Sequence, residues 1–408
     1  MKKMPELLAP AGNMEKLKVA LAYGADAVYM AGKRFGLRAF AGNFGDDEIY
    51  EAVQYAHAMD KKVYITMNIF ARNEDFAGIK KYIGSLSDIG ADAIILSDPG
   101  ILYAVREVAP NMPIHLSTQA NTTNWHSVNF WYNQGIKRII LARELSLKEI
   151  QGIRQNIPEG VELEAFVHGA MCISYSGRCL LSNVFAGRDA NRGECAHTCR
   201  WKYALVEEKR PGEYYPIEED VSGSYIMNSK DLCMLEYIPC LVNSGINGLK
   251  IEGRMKSSYY VATVVQAYRR ELDMYSRNPE EYRWDPRALD EIGKASHREF
   301  TTGFYFERPT HKDIRYTDGG YINRYDFVGI VKEYDTKQSL IEVEQRNSFS
   351  VGDVLEIMIP GEGYSQYEVK SILDENKSPI QRAPHPQQKI YLPFEKEISP
   401  YSILRRAK

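Results

Sequence analysis

No run of about 18 consecutive apolar residues, the length of a membrane-spanning helix, occurs in this chain of 408 residues. The opening Met1-Lys2-Lys3-Met4-Pro5-Glu6 has neither the apolar core nor the small-residue cleavage site of a secretory leader. The expectation is a cytoplasmic protein with no membrane partner, where thiols stay reduced. Its six cysteines are then free thiols, metal ligands or catalytic groups rather than disulfides. Charge of one sign is also lacking: 51 Lys and Arg face 54 Asp and Glu, for a net charge of -3. That removes the general electrostatic case for nucleic-acid binding. The tail Arg405, Arg406, Lys408 is a local basic patch and reads as solvated. Three engines are missing as well. HExxH is absent, which argues against a zincin. No G-x-S-x-G nucleophile elbow occurs. There is no C-x2-C knuckle of the kind zinc ribbons favour.

What is present is a series of short apolar runs alternating with helical patterns. The runs lie at 6–10, 27–30, 63–67, 93–96, 114–117, 138–141, 162–167 and 248–252. Near-continuous apolar strands are the mark of a parallel sheet covered by helices. The phrases Gly24-Ala25-Asp26-Ala27-Val28 and Gly90-Ala91-Asp92-Ala93-Ile94 nearly repeat, and Gly135 and Gly245 open similar ones. A glycine that ends a helix just before a strand marks a short αβ turn. Eight such units predict an α/β fold of the (β/α)8 TIM-barrel type, with a doubly wound open sheet as the alternative. The predicted barrel domain covers 1–320, with a Cys-rich insertion at about 169–235 between strands 7 and 8. Alternation and turn residues take over from about Tyr321, with strands at 327–331, 339–343, 354–358 and 389–392. They predict a small all-β, barrel-like domain over 321–408.

Five cysteines fall within the insertion: Cys172, Cys179, Cys195, Cys199 and Cys233. One or two would be ordinary packing. Five in a reduced compartment point to a soft metal, chiefly an iron–sulfur cluster, with zinc as the alternative. Spacing alone leaves the fourth ligand open between Cys199 and Cys233. Cys240, after Pro239 in an apolar stretch, reads as packing.

Barrel enzymes work at the C-terminal ends of their strands. Candidates there are Asn13, Asn68, Gln119, Asn121, Arg143, Glu144, His168, Lys250, Glu252 and Arg254; the bland reading of each is hydrogen bonding at a barrel end. Lys250 and Glu252 share one side of a strand by its two-residue period, with Arg254 at its mouth. An Arg there suits a carboxylate or a phosphate. Tyr175 and Trp201 flank the cysteines, where they would stack a base or shield a metal.

These residues carry a resemblance. Glu164-Ala165-Phe166-Val167-His168-Gly169-Ala170-Met171-Cys172, Ser176-Gly177-Arg178-Cys179-Leu180-Leu181-Ser182, Asn191-Arg192-Gly193-Glu194-Cys195, Asn228-Ser229-Lys230-Asp231-Leu232-Cys233 and Lys250-Ile251-Glu252-Gly253-Arg254-Met255-Lys256 resemble the signatures of the U32 peptidase family. The opening Glu6-Leu7-Leu8-Ala9-Pro10-Ala11-Gly12-Asn13 does so too. The family is named for collagenase-like peptidase activity. The resemblance is greatest to its tRNA hydroxylation branch. It implies a 4Fe–4S cluster on Cys172, Cys179, Cys195 and Cys233, with Cys199 the rival. It implies 5-hydroxylation of the wobble uridine of tRNA, with prephenate or a similar carboxylate as co-substrate and a paralogous family member as a possible partner. The expected catalytic residues are Lys250, Glu252, Arg254, His168, Asn68 and Gln119; Arg143, Asn13, Tyr175 and Trp201 are expected to bind substrate. The runner-up readings are a peptidase built on a Cys–His pair with His168 or His197, and a non-catalytic RNA-binding scaffold.

Overall fold

The computed structural model describes residues 4–37, 42–172, 174–201, 230–307 and 321–408, and the backbone of four two-residue strands between 205 and 224. Asn228 and Ser229 of the quoted signature, and the expected domain boundary at 320, lie outside the described residues.

Seven parallel strands run in order: β1 (Glu6–Pro10), β2 (Ala27–Met30), β3 (Lys62–Thr66), β4 (Ala93–Leu96), β5 (Ile114–Leu116), β6 (Arg138–Ile140) and β7 (Glu162–Ala170). Then come a short strand β8 (Asp231–Cys233) and the closing strand β9 (Gly248–Ile251). Strand β9 pairs in parallel with both β1 and β7, so the sheet closes into an eight-stranded barrel. This is the predicted (β/α)8 architecture, and the open-sheet alternative falls away. Helices α1 (Met14–Ala22), α2 (Asp46–His57), α3 (Phe76–Ile89), α4 (Pro99–Val108), α5 (Trp125–Asn133) and α6 (Leu147–Gln155) fill the first six crossovers. Their starts are capped by side chains where the sequence supplies them: Asn13, Asp98, Asn124 and Ser146 each accept from a backbone N–H of the first turn. Helix α3 ends on Gly90 with φ of 85°, a left-handed turn that glycine adopts cheaply. The long helix α7 (Ser258–Arg277) covers β1 and reaches the β7–β9 seam through Tyr268 and Tyr260, which donate to the Val167 and Glu252 carbonyls. Among the described residues, no helix is long and apolar enough to cross a membrane.

One irregularity positions the site. Lys250 pairs with Phe166, but the next residue, Ile251, pairs with His168. Val167 is therefore an extra residue, a β-bulge, and side-chain alternation along β7 slips by one beyond it. Gly169 follows with φ of 107°, and a Cβ there would lie 2.6 Å from the Glu252 carbonyl oxygen. Beyond the bulge, β8 takes over the pairing, antiparallel, with Cys233 opposite His168.

From Tyr325 the chain forms an eight-stranded antiparallel sheet with its own apolar core around Val328, Phe349 and Leu404. It is all-β as predicted. Its two edge strands, Gly363–Glu368 and Pro379–Ile380, do not pair with each other, so the ladder is open among the described residues. The basic tail is not the solvated patch that the sequence suggests. Arg405 is fully buried and bridges Glu291 of the barrel domain, at 2.5 Å, and Glu356, at 2.8 Å. Arg406 pairs with Asp353 at 2.7 Å. Tyr23, just past the end of α1, adds a hydrogen bond to the Met358 carbonyl, at 2.8 Å, so the sheet is fastened against the barrel.

Candidate functional site

The C-terminal ends of the barrel strands open into a cavity of about 140 Å3, roofed by the cysteine insertion. Strand ends supply Asn68, Gln119, Arg143, Lys250, Glu252 and Arg254 to its wall. Four cysteines of the insertion also line it: Cys172, Cys179, Cys195 and Cys199.

The signature residues around those thiols act as staples. Glu144 accepts from both the backbone N–H and the hydroxyl of Ser176, each at 2.6 Å. The Arg178 side chain donates to the Gln119 carbonyl at 2.8 Å. Asn191 makes a reciprocal pair with the Cys179 backbone, accepting at 3.2 Å and donating at 2.8 Å. Arg192 grips the two carboxylate oxygens of Asp75, at 2.8 and 3.1 Å, and holds that carboxyl below the usual range. The insertion is thus anchored to the loops after β3, β5 and β6. Ser176, Arg178, Asn191 and Arg192 are the anchors to which the sequence reading gave no role; their signal was their place beside the cysteines in the quoted signatures.

Several expected site residues are not in the cavity. His168 lies beyond the bulge and faces the helix layer, buried among Tyr260, Tyr268 and Phe300. Burial, as the largest cause, pushes its pKa down to about 3, so it is neutral. Cys233 shares that face. Its thiol is buried against Tyr268, and burial pushes its pKa up to about 12. Asn13 is exposed and caps α1 through the Lys16 N–H at 3.0 Å, which accounts for it without a substrate. Tyr175 and Trp201 are exposed on the insertion and do not line the cavity. Cys240 is exposed on the short helix Ile238–Asn243, not packed.

The cavity cations differ in how they are held. Lys250, on the closing strand, reaches Glu164 at 3.1 Å inside the barrel. Arg254 donates to the Thr66 hydroxyl at 3.2 Å and to the Asn43 amide oxygen at 2.6 Å. Arg143 lies 4.7 Å over the Phe166 ring and donates to the Ala170 carbonyl at 3.2 Å. Among the described residues, no three His, Cys, Asp or Glu side chains stand close enough together to hold a metal ion as they are. By donor chemistry the four cavity thiols suit a thiophilic group. Closing on one would need them to draw together.

Fold and cavity together define a (β/α)8-barrel protein whose strand C-terminal ends open into a cavity lined by cysteines. Residues 12–315 match Peptidase family U32, and residues 323–405 match the Peptidase family U32 C-terminal domain. The chain belongs to peptidase family U32. It is 42% identical over 406 residues to tRNA hydroxylation protein P1 of Bacillus subtilis (strain 168), spanning 100% of this chain and 96% of that one. It is 38% identical over 447 aligned positions to tRNA hydroxylation protein P of Escherichia coli (strain K12), spanning 98% and 96%. It is 30% identical over 416 aligned positions to a Collagenase of Porphyromonas gingivalis (strain ATCC BAA-308 / W83), spanning 98% and 97%. Relatives that align end to end thus carry names from RNA modification and from proteolysis.

Proposed function

We propose that this chain acts in tRNA modification, supporting 5-hydroxylation of the wobble uridine with prephenate or a similar small carboxylate as co-substrate. The observation that carries the reading is the lining of one cavity by four cysteines and a set of polar strand-end side chains, in a chain that aligns end to end with tRNA hydroxylation proteins. The cofactor in this reading is a 4Fe–4S cluster. Cys172, Cys179 and Cys195 would hold it, and Cys199 is the fourth ligand that shares their cavity. Cys233, which the family resemblance picks, is turned to the helix layer beside Tyr268 and would have to leave the β8 ladder to reach them. Such a cluster supplies one-electron chemistry or Lewis acidity when bound.

The chain's own residues do the rest. The insertion covers the strand ends and limits water. Gln119, Arg143 and Lys250 present donors to an acceptor-rich ligand. Tyr175, Trp201 and Arg178, exposed on the insertion, form an aromatic and basic surface for a single-stranded loop. Pairing with a second U32 protein belongs to the same proposal. The test is mass spectrometry of tRNA nucleosides from a strain lacking the gene and any paralogue. Loss of 5-hydroxyuridine-derived nucleosides, restored by the gene, is expected; normal levels would refute the reading.

A peptidase is the second reading, and one observation favours it: His197 lines the same cavity as Cys195 and Cys199. His168, the other candidate base, is turned away. Proteolysis by iron-free protein that stops on His197→Ala would establish this reading instead.

A further inference from the structure

The orientation of one amide in the cavity is dictated by the backbone. The Leu37 N–H, which can only donate, points at the Asn68 side-chain oxygen at 3.3 Å. The Asn68 nitrogen is therefore turned the other way, and it donates to Gln119 Oε1 at 2.6 Å. The Ser117 hydroxyl also approaches that oxygen, at 3.4 Å. A carboxamide has one oxygen and one nitrogen. With its oxygen committed, Gln119 must present Nε2 on its opposite side. That atom is buried and has no partner among the described residues, and the residue is 3% exposed on the cavity wall. A buried donor left without an acceptor is costly, so one held in place by two other groups calls for a ligand oxygen.

Arg143 lines the same wall, and its Nε is likewise buried without a partner among the described residues. Its charge has no carboxylate opposite it among the described residues, whereas Lys250 has Glu164. Two unfilled donors, one of them cationic, call for two acceptor oxygens and a negative charge. A carboxylate supplies both, and the planar guanidinium suits it. A pyrimidine supplies carbonyl oxygens but leaves the Arg143 charge uncompensated.

We infer that Gln119 and Arg143 form the seat for the carboxylate of a small organic acid, with Asn68 as the positioning residue that turns the Gln119 amide nitrogen toward it. The seat belongs to the co-substrate proposed above, but whether it exists does not depend on tRNA being the second substrate. The geometry assigns Arg254 a different job, holding Thr66 and Asn43 across the cavity rim.

The test is calorimetric titration of the full-length protein with prephenate and, separately, with uridine, alongside melting curves to establish folding. Wild type should bind prephenate saturably and uridine at least tenfold more weakly. Gln119→Glu, which replaces the donor with an acceptor in the same shape, and Arg143→Gln should each weaken prephenate at least tenfold. Asn68→Asp should do the same at a distance, because Gln119 would swing its nitrogen toward the new carboxylate and offer its oxygen to the ligand. Asn68→Ala frees the amide without reversing it and should cost less than Asn68→Asp. A merely structural role for Asn68 predicts the opposite order, since alanine deletes more contacts. Uridine bound more tightly than prephenate, no prephenate binding by wild type, Gln119→Glu within twofold of wild type, or alanine as damaging as aspartate would each overturn the inference. Altered tRNA nucleosides with no prephenate binding would overturn the seat and leave the tRNA reading standing.

Discussion

Replacing Glu164 by Gln should cost far more stability than replacing Lys250 by Met, although the two residues form one ion pair. Glu164 is fully buried inside the barrel. One oxygen takes the Lys250 ammonium at 3.1 Å, and the other lies 3.6 Å from an Arg138 nitrogen. Arg138 is held independently, by Glu6 and by Glu162, the latter at 2.7 Å. Gln at 164 therefore leaves Arg138 compensated but strands the Lys250 charge, at 3% exposure, with the Tyr29 and Phe166 rings 4.4 and 5.4 Å away and no carboxylate paired with it among the described residues. At an effective dielectric of about 20, the lost attraction across 3.1 Å is roughly 5 kcal/mol. Breaking a buried pair from one side costs about 3–5 kcal/mol. Met at 250 keeps the apolar stem and leaves Glu164 facing Arg138, so its cost should be about 1–3 kcal/mol. The double variant should cost about 2 kcal/mol less than the sum of the two. Urea unfolding of the four proteins measures all of these. Equal single costs, or additivity within about 0.5 kcal/mol, would show that Lys250 does not depend on Glu164 and that this account of the barrel interior is wrong.

Other expectations are as direct. Cys172→Ala, Cys179→Ala, Cys195→Ala and Cys199→Ala should each abolish iron binding after anaerobic reconstitution, whereas Cys233→Ala and Cys240→Ala should retain it; iron analysis that spares Cys199→Ala and not Cys233→Ala would reverse the ligand choice. His168, held near a pKa of 3 in the fold against about 6.5 when unfolded, binds more protons in the unfolded chain between those values. Stability should therefore fall as pH drops through that window, by up to about 1.4 kcal/mol per pH unit, and His168→Phe should flatten the slope of the urea midpoint between about pH 4 and 6.5; an unchanged slope would refute a neutral buried His168. Arg405→Met, which leaves Lys294 as the cation shared by Glu291 and Glu356, should cost about 1–3 kcal/mol, measured by thermal unfolding; a shift within error would mean the clamp between sheet and barrel is not an energetic one.

The barrel is legible because its punctuation is local. Gly24, Gly90, Gly135 and Gly245 all have positive φ and stand just before strands, so the repeat seen in the residues is the repeat seen in space. Seven of the eight barrel strands begin at the residue read from the sequence, and the third begins one residue earlier, at Lys62. Arg405 shows where composition misleads. A cationic tail looks solvated until the partners, Glu291 and Glu356, arrive from distant points in the chain. Nothing within ten residues of Arg405 announces them.

The working face was legible in kind but not in detail, and the bulge at Val167 explains why. Strict alternation from Phe166 places His168 in the cavity and, across the ladder, brings Cys233 with it. One extra residue reverses that assignment for both at once, because directly opposed residues of an antiparallel pair share a face. A two-residue period cannot reveal an insertion that changes only the phase. That Cys199 lines the cavity and Cys233 does not is likewise invisible in the spacing, since no spacing rule orders five cysteines around a cavity. Asn68 and Gln119 mark the other limit. Sequence position put both at strand ends, but only the Leu37 N–H turns two interchangeable amides into a donor with a direction. It is this direction, rather than the presence of polar residues at a barrel mouth, that points to a carboxylate.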